Sequence, residues 1–255
     1  MPRFLCQKIP TIRDEVVTAP HNMSWKDNIQ EILTDFFLQP AWTISNFTIH
    51  AVFLVNSDQA LVYYSAGALE TYHTIGGKQV EAAGKDELHV FTLTVGISLG
   101  GEVLPFQAIF ARKTAASLPS SKAPGYPKAT EELKFHFESS KGGNHWSKIE
   151  TIKSYVNNIL APYFESRHKK LSLPNQICIW QVNCWSVHRS LEFRSWMYTA
   201  SPWIRIHFVP GNCTGLFQSC DVGIQQVLKL AIRQSALKDI VDHTTTQLSS
   251  GVAPN

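Results

Sequence analysis

The sequence has no run approaching eighteen apolar residues, so nothing in it reads as a membrane-spanning helix. It has no charged-then-apolar opening segment of the secretory kind. It has no C-x2-C pair and no P-loop pattern, and neither Gly76-Gly77 nor Gly100-Gly101 implies more than a turn. Charge is sparse: 17% of residues are charged and the formal net charge is +3. That is not the strong basic footprint of a nucleic-acid surface, although mild basicity does not exclude one. Cysteine is scarce and odd in number, at Cys6, Cys178, Cys184, Cys213 and Cys220, which argues against a secreted disulfide framework in a chain this long. A reducing compartment, cytosol or nucleus, is expected. The sequons at Asn46 and Asn212 are therefore read as chance.

What is present is a chain of 255 residues, 44% apolar, long enough for a substantial core. Residues 1–45 have weak periodicity. Ser24 to Leu38 reads as an amphipathic helix capped by Ser24 and ended by Pro40. Ile49 to Val55 reads as a buried strand delivering Asp58 at its end. Leu88 to Ser98 and Val103 to Phe110 read as strands joined at Gly100-Gly101. Residues 114–128 read as a loop. Ser147 to Arg167 has a helical period, with Pro162 kinking it or ending its regular part. Strands are expected over Gln176 to Val182 and Trp203 to Val209, and helices over Ser190 to Thr199 and from Asp221 to about Val241. The order indicates an α/β domain with a mixed sheet, in which ligands collect at the carboxyl ends of strands.

Asp58, Asn183 and Asp221 stand at or beside element ends, far apart in sequence. Spacing alone is a weak signal, since a chain this size has many scattered aspartates. The surrounding segments say more. Asn56-Ser57-Asp58-Gln59 comes first, then Gly77-Lys78-Gln79-Val80 and Phe91-Thr92-Leu93-Thr94. Leu104 to Phe110 follows, then Lys113-Thr114 and Asn144-His145-Trp146-Ser147. Cys184-Trp185-Ser186-Val187-His188-Arg189-Ser190 and Cys213-Thr214-Gly215 with Asp221-Val222-Gly223 close the series. In this order they resemble the DDE superfamily endonuclease domain of pogo/Tigger/mariner-like transposases, over about Asn56 to Leu248.

The resemblance implies an RNase H-like mixed sheet flanked by helices. It implies a two-metal site for Mg2+ or Mn2+, no small-molecule cofactor, DNA as partner, and ancestral strand cleavage and transfer. It makes Asp58 the first carboxylate and Asp221 the third, the two metal ligands of this chain, with Asn183 in the place of the second. Such chemistry needs several oxygen ligands on two hard cations. Asparagine keeps a carbonyl oxygen but loses the charge and the second acceptor, so little or no cleavage is expected. Ala60 and the acidic Asp86-Glu87 also depart from the pattern. Residues 1–45 are too short and too weakly basic for a tandem helix-turn-helix pair and are expected to be a poorly defined remnant. Residues 46–248 form the endonuclease-like domain, and 249–255 a disordered tail. The resemblance further implies a nuclear location and leaves homo-oligomerisation open.

The rival reading is a non-enzymatic, domesticated DNA-binding or protein-interaction module that keeps only the fold. His188 and Arg189 read equally as contacts to a scissile phosphate or as capping and packing residues. A zinc site drawn from Cys184, His188, His207, Cys213 and Cys220 is outweighed by reduced core cysteines. The basic run Arg167-His168-Lys169-Lys170 reads as a solvated helix end. Trp146, Trp185, Trp196 and Trp203 read as core.

Overall fold

The computed structural model describes residues 29–63, 90–111, 118–141, 146–210 and 218–249. The expectations for Ser24, Gly76 to Val80, Asp86 to His89, Lys113-Thr114, Asn144-His145 and Cys213 to Gly215 lie outside these residues.

Six strands form one sheet: β1 (Leu54–Tyr63), β2 (Val90–Ser98), β3 (Gln107–Phe110), β4 (His136–Ser139), β5 (Cys178–Asn183) and β6 (Ile204–Val209), in the order β4-β3-β2-β1-β5-β6. β1, β2 and β3 are an antiparallel meander. β5 runs parallel to β1 and β6 parallel to β5, each reached through helices. β4 adds a parallel edge beside β3. This is an RNase H-like mixed sheet flanked by helices.

Alternation along β1 decides which side chain serves which face. Val55 joins Trp180, Val182, Tyr155 and Phe164 in the larger core, under the helices α2 (Ile149–Tyr155), α3 (Ala161–Leu171) and α5 (Leu191–Ala200). Val62, Leu93, Val95 and Ala108 form the second core on the opposite face. Cys220, Ile224, Leu228 and Ile232 cover it, carried by a π turn (Cys220–Ile224) and the helix α6 (Gln225–Ser249). A short helix, α4 (Ser186–Arg189), links β5 to α5.

Several elements depart from expectation, each for a physical reason. The helix α1 (Ile29–Phe47) passes through Pro40 rather than stopping there, and it crosses the boundary drawn at residue 45. A proline inside a helix removes one N–H and crowds the preceding turn. Here Phe36 anchors the helix, buried and stacked on His207 of β6 with ring centroids 4.9 Å apart. The chain turns away only at Thr48, whose φ is 48°. A 3-10 turn (Ala51–Phe53) replaces the start of the expected strand, so β1 begins later and Asp58 stands in its middle, not at its end. Pro162 is accommodated by a π turn (Val156–Leu160) between α2 and α3. With no proline N–H to receive, the turn before it widens and the helix continues. α3 then ends at Ser172 in a left-handed conformation. α6 runs to Ser249, beyond the expected end near Val241.

Arg167 is ion-paired with Glu102 at 3.0 Å, and His168 meets the Gln176 carbonyl at 2.8 Å, so the basic run is only partly solvated. Trp185, Trp196 and Trp203 pack against the larger core, but Trp146 is exposed.

Candidate active site

β1 and β5 pair in parallel register through Leu54↔Ile179, Val55↔Trp180 and Asn56↔Gln181. The ladder stops there. Carrying the same register two places further sets Asp58 opposite Asn183, with the two strands no longer paired. A pocket opens at this split, lined by Asp58, Asn183 and His188 together with Ser57, Gln59, Thr94, Ile152, Tyr155 and Trp180. It lies off the carboxyl end of β5, where open α/β sheets collect ligands.

Asp58 projects from the same face of β1 as Asn56, toward the π turn that carries Asp221. Its Oδ2 accepts a 2.7 Å hydrogen bond from Gln225 Nε2. Burial pushes the Asp58 carboxyl up to about 6, and the nearby charge of Asp221 pushes the same way. Hydrogen bonds from the Gln59 backbone and from the Gln225 and Gln218 side chains act in the opposite sense. Asp58 and Asp221 are therefore within electrostatic reach across 163 residues of sequence (221 − 58 = 163).

Two buried polar side chains tie the Asp221 turn to the sheet. Asn56 Oδ1 accepts from the Cys220 N–H at 2.9 Å, and its carbonyl accepts from Cys220 Sγ at 3.2 Å. Asn56 Nδ2 donates to Gln181 Oε1 on β5 at 3.2 Å. Gln218 Nε2 donates to the Ser57 carbonyl at 3.0 Å. Each satisfies polar groups that would be costly to bury alone. Burial, then the Asp58 charge, pushes the Cys220 thiol up to about 12, so it stays protonated and donates. Cys178, Cys184 and Cys220 are free, and no group of three His, Cys, Asp or Glu suited to a metal occurs among the described residues.

Asn183 ends β5, and its side chain meets His188 one turn later. His188 Nδ1 lies 3.2 Å from the Asn183 carbonyl and 3.0 Å from Asn183 Oδ1. The ring is 5% exposed and meets Trp180, Trp185 and Phe193. Burial pushes it down to about 4, opposed by the bond to the Asn183 backbone. Arg189 is half-buried.

The donor set is too small for two divalent cations. Asp58 and Asp221 supply two carboxylates, one oxygen of Asp58 is held by Gln225, and the amide oxygen at position 183 is held by His188. A pair of dications needs more converging charge than this. The residues present do not fit the two-metal pair.

Sequence reading singled out Asp58, Asn183 and Asp221 but assigned no role to Asn56, Gln218 or Gln225. Two of these had a signal. Asn56 is two places before Asp58 and shares its strand face. Gln225 is four places after Asp221, about one helical turn on. Gln218 had none, being a lone amide before a turn.

No family model matches the sequence, and no curated protein matches it. Solved structures do. A pre-cleavage Mos1 transpososome shares the fold with a TM-score of 0.51 and 11% identity, over 88% of this chain and 56% of that one. A Mos1 mariner paired-end complex with Mn follows, with a TM-score of 0.46, 10% identity, and coverage of 88% and 56%. A Mos1 strand transfer complex has a TM-score of 0.45, 12% identity, and coverage of 88% and 55%. The chain spans just over half the length of these proteins. The motif resemblance and the structural likeness point the same way: over most of its length this chain has the RNase H-like fold of the Mos1 mariner transposase.

Proposed function

We propose that the chain is a transposase-derived, DDE endonuclease-like domain that binds nucleic acid, with its ancestral metal-dependent DNA cleavage and transfer impaired by Asn183. The observation that carries this reading is the approach of three distant segments where β5 ends beside the middle of β1. β1 brings Asp58, the end of β5 brings position 183 beside it, and the π turn before α6 brings Asp221 within reach of Asp58's charge. The shared fold with a transposase supports it.

In the competent arrangement, Mg2+ or Mn2+ held by three acids would stabilise the attacking and leaving oxygens of an in-line displacement. Here the protein offers two full charges instead of three. Losing such a charge removes several kcal/mol, and each 1.36 kcal/mol is about tenfold in rate. Among the residues beside the site, half-buried Arg189 is better exposed than His188 to meet a phosphate. DNA is the proposed partner and the nucleus the proposed location. Self-association stays open.

The engagement of the Asn183 oxygen by His188 favours a second reading, a binding module that keeps the fold without the chemistry. Isothermal titration with Mn2+ of the native chain and Asn183→Asp separates the two. Two ions bound by the aspartate form, and at most one by the native chain, support the impaired-nuclease reading. No binding by either form removes the metal-site ancestry. Binding of duplex DNA that is unchanged by Mn2+ in both forms then favours the module.

A further inference from the structure

We infer that His188 is the positioning residue of this site, holding the Asn183 amide with Oδ1 turned to the imidazole and Nδ2 turned away from it. The inference rests on the impaired-nuclease reading and adds a cause to it. The loss at position 183 is one of orientation as well as of charge.

The argument begins with the backbone. Asn183's carbonyl oxygen, 3.2 Å from His188 Nδ1, can only accept a hydrogen bond. Nδ1 therefore carries the hydrogen, whatever the charge on the ring. The side-chain atom 3.0 Å from the same N–H must then also be an acceptor. An amide NH2 there would set donor against donor. The hydrogen-bond network thus fixes which end of the Asn183 amide, its O or its nearly isosteric NH2, faces the ring. The one oxygen able to bind a cation is turned to the imidazole, which takes one of its two lone pairs and fixes its direction. The end of the amide turned away from the ring carries only N–H donors.

The ring has little freedom to release it. His188 is buried between Trp180, Trp185 and Phe193, with centroids 5.6–6.1 Å away. The short helix α4 holds its backbone five residues from Asn183. A carboxylate at position 183 would behave differently. One oxygen would accept the Nδ1–H and the other would stay free, so the same histidine that masks an amide would orient an acid. Carboxylates that bind metals are commonly held in place by hydrogen bonds from neighbouring groups.

The test is Mn2+ titration of the native chain, Asn183→Asp and His188→Phe. Phenylalanine keeps an aromatic ring among its three aromatic neighbours and deletes the N–H. With the lock removed, the amide is free to turn its oxygen inward, and His188→Phe is expected to bind one Mn2+ about tenfold more tightly than the native chain without any added charge. Asn183→Asp is expected to bind two. If Asn183→Asp gains affinity while His188→Phe matches the native chain, charge alone sets the loss and the inference fails. If neither variant binds Mn2+, the acidic-site reading itself fails. A second measurement is independent of how His188→Phe folds. Long-range 1H–15N correlation on histidine-labelled native protein should show His188 as the Nδ1–H tautomer, and an Nε2–H tautomer would sink the inference outright.

Discussion

Asp58 is a residue whose position works against its charge. Its carboxyl is pushed up to about 6 by burial and by Asp221, from an ordinary value of 3.8. A group whose folded value is raised adds stability while protonated, below pH 3.8, and that stability is lost as pH rises through about 6. At neutral pH the ionised Asp58 is therefore a net cost, of the kind that sites impose on folds. Asp58→Asn keeps an oxygen for Gln225 and removes the charge. Urea unfolding should show the variant about 2 kcal/mol more stable at pH 7.5 and no more stable at pH 3.5. A variant that is equally or less stable at pH 7.5 would show that neither burial nor Asp221 penalises this carboxylate. Asp58, Asn183 and Asp221 were singled out by the segments around them, and the structure sets Asp58 and Asn183 in one pocket. The amide orientation at 183 was not, because it is set by an imidazole whose direction only the fold defines.

Elements explain why those residues meet. β2 crosses behind the pocket, and Gly96 pairs with Ser57 on β1. A Cβ on Gly96 would stand 2.7 Å from Tyr155 Oη and 3.5 Å from Leu104 Cβ. Tyr155 is 2% exposed on α2 and has no room to retreat. Gly96→Ala should cost about 1–3 kcal/mol by overpacking, read as a lowered thermal midpoint, and an unchanged midpoint would mean that α2 lies further from the sheet. Strands rich in β-branched and aromatic residues, such as β2 and β5, were legible from composition and alternation. β4 was not: His136-Phe137-Glu138-Ser139 has no apolar run, and it is a strand because β3 offers it a parallel edge and Gln107 Nε2 bonds Glu138 at 2.9 Å. Pro40 misled, whereas Pro162 interrupts the regular helix as its place in the sequence implies. Local rules place a helix end at Pro40, while the packing of Phe36 on His207 carries that helix through.

At the scale of the whole molecule, buried histidines govern the response to acid. Burial pushes both His188 and His207 down to about 4. Their contribution is fully present above pH 6.5 and is lost as pH falls through about 4, because the unfolded chain takes up those protons first. Asp58 acts in the opposite sense between pH 6 and 3.8. Two groups against one leave a net loss of about 1.4 kcal/mol per pH unit across that window. The urea midpoint should therefore drop steadily from pH 6 to pH 4.5, and a flat profile would mean that one of these rings is open to water. The second core has a consequence in time rather than in energy. Val62, Leu93, Val95 and Ala108 are covered by Cys220, Ile224, Leu228 and Ile232, which follow them in the chain by more than a hundred residues. At roughly 5–20 residues per second, a ribosome takes on the order of ten seconds to deliver that cover after β3 has emerged. Until then one side of the nascent sheet is bare. A chain stopped at residue 217 should accumulate in the insoluble fraction, while one stopped at Asp242, past Ile232 of the second core, should stay in solution. Each nascent chain spends that interval as a client for whatever shields apolar surface at the ribosome exit.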